Sequence, residues 1–224
     1  MTSSANHSSI FRQLHQSGTF LLVNVHDAGS AALAQAAGAQ AIGTTSGGHA
    51  YSTGKPDGAG ALGRSQVLRQ VREICAVVDI PVSVDAENGW GHSPDEVAKS
   101  IRSLVEIGAS GASIEDWSGN PDIGFYDRHL AAERIEAAVE AAASLDPNFV
   151  ICARSDRMMH EGSEVFADVL ARLQTFSDAG AGCVYAPGTN DTGLIQTLVS
   201  EAGCLLYTSP SPRDRTRSRM PSSA

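Results

Sequence analysis

The sequence predicts an α/β fold: a (β/α)8 TIM-type barrel, incomplete here, with about six βα units present and the last two missing. Three observations carry this prediction. Short apolar strands alternate with amphipathic helices along the chain. One joint recurs three times, a helix that stops at a glycine and an apolar strand that starts at once. Its instances are Ala37-Gly38-Ala39-Gln40-Ala41-Ile42, Ile107-Gly108-Ala109-Ser110-Gly111-Ala112-Ser113-Ile114 and Ala179-Gly180-Ala181-Gly182-Cys183-Val184-Tyr185. Polar residues tip the strands at their C-terminal ends, where parallel α/β enzymes place their chemistry.

Taken in order, strands fit at about Thr19 to Asn24, Ala39 to Gly43, Val82 to Asp85, Gly111 to Glu115, Phe149 to Ala153 and Gly182 to Tyr185. Helices fit between them. The clearest runs from Pro94 to Ile107, with Ser93 as N-cap, Pro94 at the first helical position, and Asp95 and Glu96 facing the dipole. Val97, Ile101, Leu104 and Val105 form its apolar stripe. Ala131 to Ala143 is alanine-rich and helical. A further helix after Ser163 buries Val165, Val169, Leu173 and Phe176. Right-handed crossovers in series give a doubly wound sheet or a barrel. Six strands by Tyr185, each with a polar tip, favour the barrel. No linker and no second domain interrupt residues 1–203.

Composition sets the class. The chain has 224 residues, 42% hydrophobic and 18% charged, enough for one domain with a sizeable core. A formal net charge of -9 argues against nucleic acid as a partner. Met1 to Ser9 is polar and no apolar run reaches membrane-span length, so a cytoplasmic protein without a membrane partner is expected. Cys75, Cys152, Cys183 and Cys204 show no close pairing and read as buried free thiols.

From Cys204 the composition changes abruptly. Bottom-up, the Arg/Ser/Pro-rich end is a disordered tail. More specifically, residues 204–214 resemble the in-frame translation of a common transposase-type sequencing adaptor. Residues 218–224 resemble its far end, and Arg215-Thr216-Arg217 takes the place of a barcode. Residues 204–224 are therefore read as a non-native tail, and 1–203 as a partial barrel. A short apolar start such as Cys204-Leu205-Leu206-Tyr207 can nonetheless mimic a strand.

The chemistry centres on Val84-Asp85-Ala86-Glu87-Asn88-Gly89-Trp90-Gly91. Alternate residues of a strand share a face, so Asp85 and Glu87 point the same way where the chain leaves the sheet. Like charges so placed are costly without a cation, and a hard divalent ion bound through oxygen answers that need. The next strand ends in Ile114-Glu115-Asp116. After the second strand, Gly43-Thr44-Thr45-Ser46-Gly47-Gly48 offers backbone N–H groups and hydroxyls to an anion, although such loops are commonly just turns. In Gly54-Lys55-Pro56-Asp57-Gly58, Asp57 is either an Asx-turn residue or a site carboxylate. Arg154 ends the fifth strand. It serves either a structural ion pair or a substrate carboxylate.

Together these pieces resemble the isocitrate lyase/phosphoenolpyruvate mutase superfamily, and its phosphonomutase-like branch in particular. The residues that carry the resemblance are Asn24-Val25-His26-Asp27-Ala28-Gly29-Ser30-Ala31, Thr45-Ser46-Gly47-Gly48, Gly54-Lys55-Pro56-Asp57, Val84 to Gly91, Ile114-Glu115-Asp116 and Ala153-Arg154-Ser155-Asp156. The resemblance implies a magnesium-dependent barrel that cleaves or forms a C–C or P–C bond beside the carbonyl of a small 2-oxo acid, through a metal-bound enolate. It implies that Asp85, Glu87 and Glu115 hold Mg2+ (or Mn2+) directly or through water. Thr45, Ser46, Gly47 and Gly48 would bind the 2-oxo acid, with Arg154 and Asp57 as catalytic residues. It also implies a homo-oligomer, which truncation would impair.

The departures narrow the reading. Isocitrate and methylisocitrate lyases carry a Lys-x-Cys-Gly-His segment after the fourth strand. Here Trp117 to His129 contains neither cysteine nor lysine, which argues against those two activities. Tyr126 and His129 lie in this loop as proton-donor candidates, although plain surface residues are the stronger reading. The remaining alternative is a non-catalytic barrel that binds small anions, or a truncated chain without function.

Overall fold

The structure is a computed structural model and describes residues 4–58 and 60–208. Its elements alternate as the sequence pattern requires. They are α1 (Ser4–Leu14), β1 (Leu22–Val25), α2 (Ala28–Ala36), β2 (Ala41–Thr44), α3 (Ser46–Ser52), α4 (Arg64–Val77), β3 (Val82–Asp85), α5 (Pro94–Glu106) and β4 (Gly111–Glu115). They continue with α6 (Arg128–Ala143), β5 (Val150–Arg154), α7 (Arg157–Glu161), α8 (Phe166–Asp178), β6 (Cys183–Tyr185), α9 (Thr192–Glu201) and β7 (Leu205–Tyr207). The seven strands are parallel and lie side by side in chain order, so every crossover returns to the neighbouring position. The sheet curls into a half-barrel with β1 and β7 at its edges.

The recurrent joints behave as the sequence implies. Gly38, Gly108 and Gly180 have φ of +90°, +94° and +91°, so each helix ends in the left-handed conformation that turns the chain into the next strand. At α5, the Ser93 hydroxyl accepts from Glu96 N and the Glu96 side chain accepts from Ser93 N, a reciprocal capping box.

Register sorts the strand residues into two faces. Val84, Ala112, Ile114, Ile151, Ala153 and Val184 pack outward against Val97, Ile101 and Leu104 of α5, Ile135 of α6, and Leu173 and Phe176 of α8. The other face is concave. Its lower half is apolar: Leu22, Ala41, Val150, Cys152, Cys183 and Leu205. Phe11 of α1 plugs it from below, fully buried against Gly111, where a Cβ would come within 2.6 Å of the phenyl ring. Phe20, just before β1, and Tyr207 at the end of β7 place their ring centres 6.2 Å apart, with His15 between them. This aromatic cluster draws the two sheet edges together.

Two expectations change. The six strands become seven, and the first and seventh, not the first and sixth, are the edges. Residues 205–207, expected to be unstructured, form β7. The reason is their apolar side chains on both faces: Leu205 and Tyr207 join the inner cluster, and Leu206 packs on the outer core. Residues 209–224 lie outside the described residues. The non-native origin of 204–224 is a proposal that rests on the order of their residues alone. Among the described residues, no helix is long and apolar enough to cross a membrane.

Candidate active site

The concave face changes character toward the C-terminal ends of the strands. Ser83, Asp85, Glu115, Arg154 and Tyr185 continue the inward rows that begin with apolar residues below. Arg154 stands at the centre. Its Nε donates to Asp156 Oδ1 and its Nη2 to Asp156 Oδ2 at 2.7 Å, a two-pronged pair. The same guanidinium lies 3.7 Å from Glu115 Oε2 and 4.0 Å from Asp85 Oδ1. Burial pulls the Arg154 guanidinium down, but Asp156, Glu115 and Asp85 together outweigh it and keep it firmly protonated.

The three carboxylates named from the sequence are placed differently. Asp85 accepts from Ser46 N at 3.0 Å and from Glu87 N at 3.3 Å, while its own N–H donates to Thr44 Oγ1 at 3.0 Å. Glu87 lies just past the strand at φ +49°, and its Oε2 accepts from Trp90 Nε1 at 3.3 Å. Burial pushes the Glu87 carboxyl above the usual range, and the Asp85 charge adds to this. Glu115 is pushed well above its usual range, by burial first and then by Asp156. Arg154 opposes this, while Asp85 and Glu87 add to it.

A cavity of about 940 Å³ opens above this cluster, lined by Ser46, Asp57, Glu87, Glu115, Arg154 and Asp156. Asp85 sits deeper and faces a small void shared with Ser46, His49, Asp57 and Glu87. Thr45, Gly47 and Gly48 do not line the large cavity. Thr45 is the N-cap of α3, so the expected loop is in fact the first turn of a short helix, and the Ser46 N–H is already given to Asp85. Gly47 backs onto Asp57, whose Oδ2 would lie 2.9 Å from a Cβ there, and Gly48 backs onto His26.

An all-oxygen donor set in which Glu87 and Glu115 are pushed toward the neutral form fits a hard divalent cation. Among the described residues, no three His, Cys, Asp or Glu side chains stand close enough together to ligate one ion directly. The fit is therefore to an ion that keeps several of its waters, as Mg2+ does.

Several residues around the site had no role assigned from the sequence, although Asp116 and Asp156 stand in its motifs. Asp156 clamps Arg154. Asp116, fully buried, accepts from Ser155 Oγ at 2.7 Å, Asp156 N at 2.9 Å and Arg172 Nη1 at 3.3 Å; burial pushes its carboxyl up to about 6. Trp117 stacks on His160, ring centres 4.6 Å apart, and both wall the cavity. The acid at the tip of β4 and the Ala153 to Asp156 segment were visible signals, but their pairing was not. Tyr126 and His129 separate. Tyr126 is 4% exposed, with its hydroxyl 2.6 Å from His92 Nδ1, whereas His129 is on the surface beside Glu133.

Comparison with known proteins shows the family of the chain. The profile of the family described as phosphoenolpyruvate phosphomutase matches residues 11–220. A 2-methylisocitrate lyase of Salmonella typhimurium is 36% identical over 81% of this chain. The chain spans 62% of that relative's length. Among solved structures, 2,3-dimethylmalate lyase, a PEP mutase/isocitrate lyase superfamily member, superposes with a TM-score of 0.81 at 26% identity, covering 92% of this chain and 72% of its own. A phosphonopyruvate hydrolase complex with oxalate and Mg2+ superposes with a TM-score of 0.82 at 25% identity, covering 95% and 74%.

Proposed function

Since this chain belongs to the phosphoenolpyruvate phosphomutase family, we propose that it is a lyase or mutase that uses Mg2+ to cleave or rearrange a C–C or P–C bond beside the carbonyl of a small 2-oxo acid. The observation that carries this reading is the meeting of Asp85, Glu115, Asp156 and Arg154 at the strand ends, beneath a cavity that Ser46, Asp57 and Glu87 also line.

Asp85, Glu87 and Glu115 would hold the ion, in part through water. When bound, Mg2+ (or Mn2+ in its place) supplies a Lewis acid for the carbonyl and carboxylate oxygens of the 2-oxo acid. The Ser46 hydroxyl, at the cavity wall, gives the substrate carboxylate a donor. Arg154 faces the same space with a fixed charge, oriented by Asp156 along one edge, and would neutralise negative charge that develops as the bond breaks. Trp117 and His160 wall one side and limit water there. Asp57, against Gly47, is close enough to this space to orient the substrate or to exchange a proton with it.

The absence of cysteine and lysine from Trp117 to His129 points away from methylisocitrate-type cleavage, and the phosphoenolpyruvate mutase-type lysine is absent with them; an oxaloacetate- or phosphonopyruvate-like substrate is the reading kept. The same absence favours a second reading, a non-catalytic barrel that binds small anions. A panel of 2-oxo acids, scored for pyruvate, oxalate and phosphate release with and without Mg2+, decides between them. Turnover of at least one substrate only with the metal is expected. No turnover of any of them, with binding that ignores Mg2+, would leave the second reading.

A further inference from the structure

Arg134, on α6, is a buried cation outside the acidic cluster. It is 1% exposed, and among the described residues it forms no ion pair with a carboxylate. Instead the guanidinium donates to three carbonyls of a single turn. Nη1 reaches Gly91 O at 2.8 Å and His92 O at 2.5 Å, and Nη2 reaches Asn88 O. Its flat face lies 3.9 Å from the centre of the Tyr126 ring. Burying a guanidinium is expensive, so simple packing at this position would be better served by an apolar side chain.

The turn it grips is the one that carries Glu87. Glu87 and Trp90 both have left-handed backbone, at φ +49° and +55°. Residues other than glycine are disfavoured there and stay only where the surroundings impose the conformation. Three charge-assisted hydrogen bonds from one rigid fork do this. The grip extends to the neighbouring loop. The Tyr126 hydroxyl lies 2.6 Å from His92 Nδ1 and accepts from Asn88 Nδ2 at 3.3 Å, and the same amide donates to Ser118 O at 2.8 Å. The turn after β3 and the loop after β4 are thus fastened at one point, and both line the cavity.

We propose that Arg134 is a positioning residue: it holds the strained 87–92 turn so that the Glu87 carboxylate faces the cavity, and through Tyr126 it fixes the 117–126 loop in the same register. This inference rests on the reading of Glu87 as a metal-holding carboxylate. It calls for two readouts on Arg134→Lys, which keeps the charge but loses the fork, and on Tyr126→Phe, which keeps the ring but loses the hydroxyl. The first is amide hydrogen exchange, which needs no metal. In both variants residues 87–92 and 117–126 should exchange together, about tenfold faster in Arg134→Lys, with β5 and β6 unchanged. The second is Mn2+ binding followed by electron paramagnetic resonance. Affinity should fall about 10- to 100-fold in Arg134→Lys, and less in Tyr126→Phe.

Unchanged exchange in both segments, or exchange that rises in one segment only, overturns the proposal. So does Mn2+ affinity in Arg134→Lys equal to that of the unaltered protein. If the unaltered protein binds no Mn2+, the metal reading fails and the positioning role falls with it. If Arg134→Lys does not fold, Tyr126→Phe decides, because it removes the hydroxyl's bonds to His92 and Asn88 and leaves the Asn88 to Ser118 bond in place.

Discussion

The two ends of the half-barrel are made from the same inward-facing rows, yet they are built on opposite principles. Cys152 and Arg154 are two residues apart on β5 and share a face, about 7 Å from one another. Around Cys152 the partners are apolar and aromatic: Phe11, Cys183, Leu205 and Tyr207. Burial there pushes the His15 imidazole down, toward its neutral form. Around Arg154 the partners are three carboxylates. The lower end is a core that plugs and closes the sheet. The upper end concentrates charge that the fold by itself does not need. A strand can thus serve stability at one end and chemistry at the other, as parallel barrels do.

Substitutions at the two ends should break this comparison or sharpen it. The largest expected effect is at the upper end. Asp85→Ala should cut Mg2+-dependent turnover by more than about 100-fold. It should leave the thermal midpoint unchanged or higher, because repulsion with Glu87 and Glu115 is relieved. Steady-state assays paired with thermal melts check this; a collapsed fold would show that Asp85 is a structural residue. Arg154→Ala should act on both properties. It leaves Asp156, Glu115 and Asp85 without their cation, at a cost of about 3–5 kcal/mol in urea unfolding, and it weakens anionic substrates most.

At the lower end, Phe11→Ala should cost a similar ~3–5 kcal/mol through the cavity it leaves. Oxalate binding should stay within about twofold of the parent, since no charged group of the site touches Phe11; calorimetry measures it. A matching loss of binding would mean the two ends are mechanically coupled.

The smallest effect concerns the outer layer. Ser93→Ala removes the cap of α5 and should cost about 1 kcal/mol at neutral pH. The capping bonds from Ser93 hold the Glu96 carboxyl at about 2, below its usual value of 4.5. A depressed carboxylate stabilises the fold above its unfolded pKa, and that contribution is lost as pH falls through the folded value. The difference between Ser93→Ala and the parent should therefore shrink from pH 4.5 toward pH 2. Melts across that range test it.

Local signals were legible in the sequence, and long-range pairings were not. β3 and β4 fall where the apolar runs end in acids, and α5 starts at Ser93 because Ser-Pro-Asp-Glu is a complete start signal. β1 begins at Leu22, not Thr19, because Phe20 turns away into the aromatic cluster under the sheet. β7 was missed because its neighbours read as foreign composition, although Leu205 to Tyr207 can pack on both faces. The carboxylates of the site were visible as strand-end acids. That Arg134 would reach back to the turn after Glu87 depends on partners more than forty residues away, and no local spacing announces it. Asp156 is only two residues from Arg154, but that Glu115 and Asp85 would share the same guanidinium is again a long-range fact. Tyr126 and His129 looked alike in the sequence for the same reason.

The central claim is that the charged upper end holds a divalent ion and a small dicarboxylate-like ligand together. Calorimetric titration with oxalate, the ligand in the phosphonopyruvate hydrolase complex, tests it most directly when run with Mg2+, with EDTA, and with Glu115→Gln. The account predicts binding that requires Mg2+ and is lost in Glu115→Gln. Equal oxalate affinity with Mg2+ and with EDTA would contradict it.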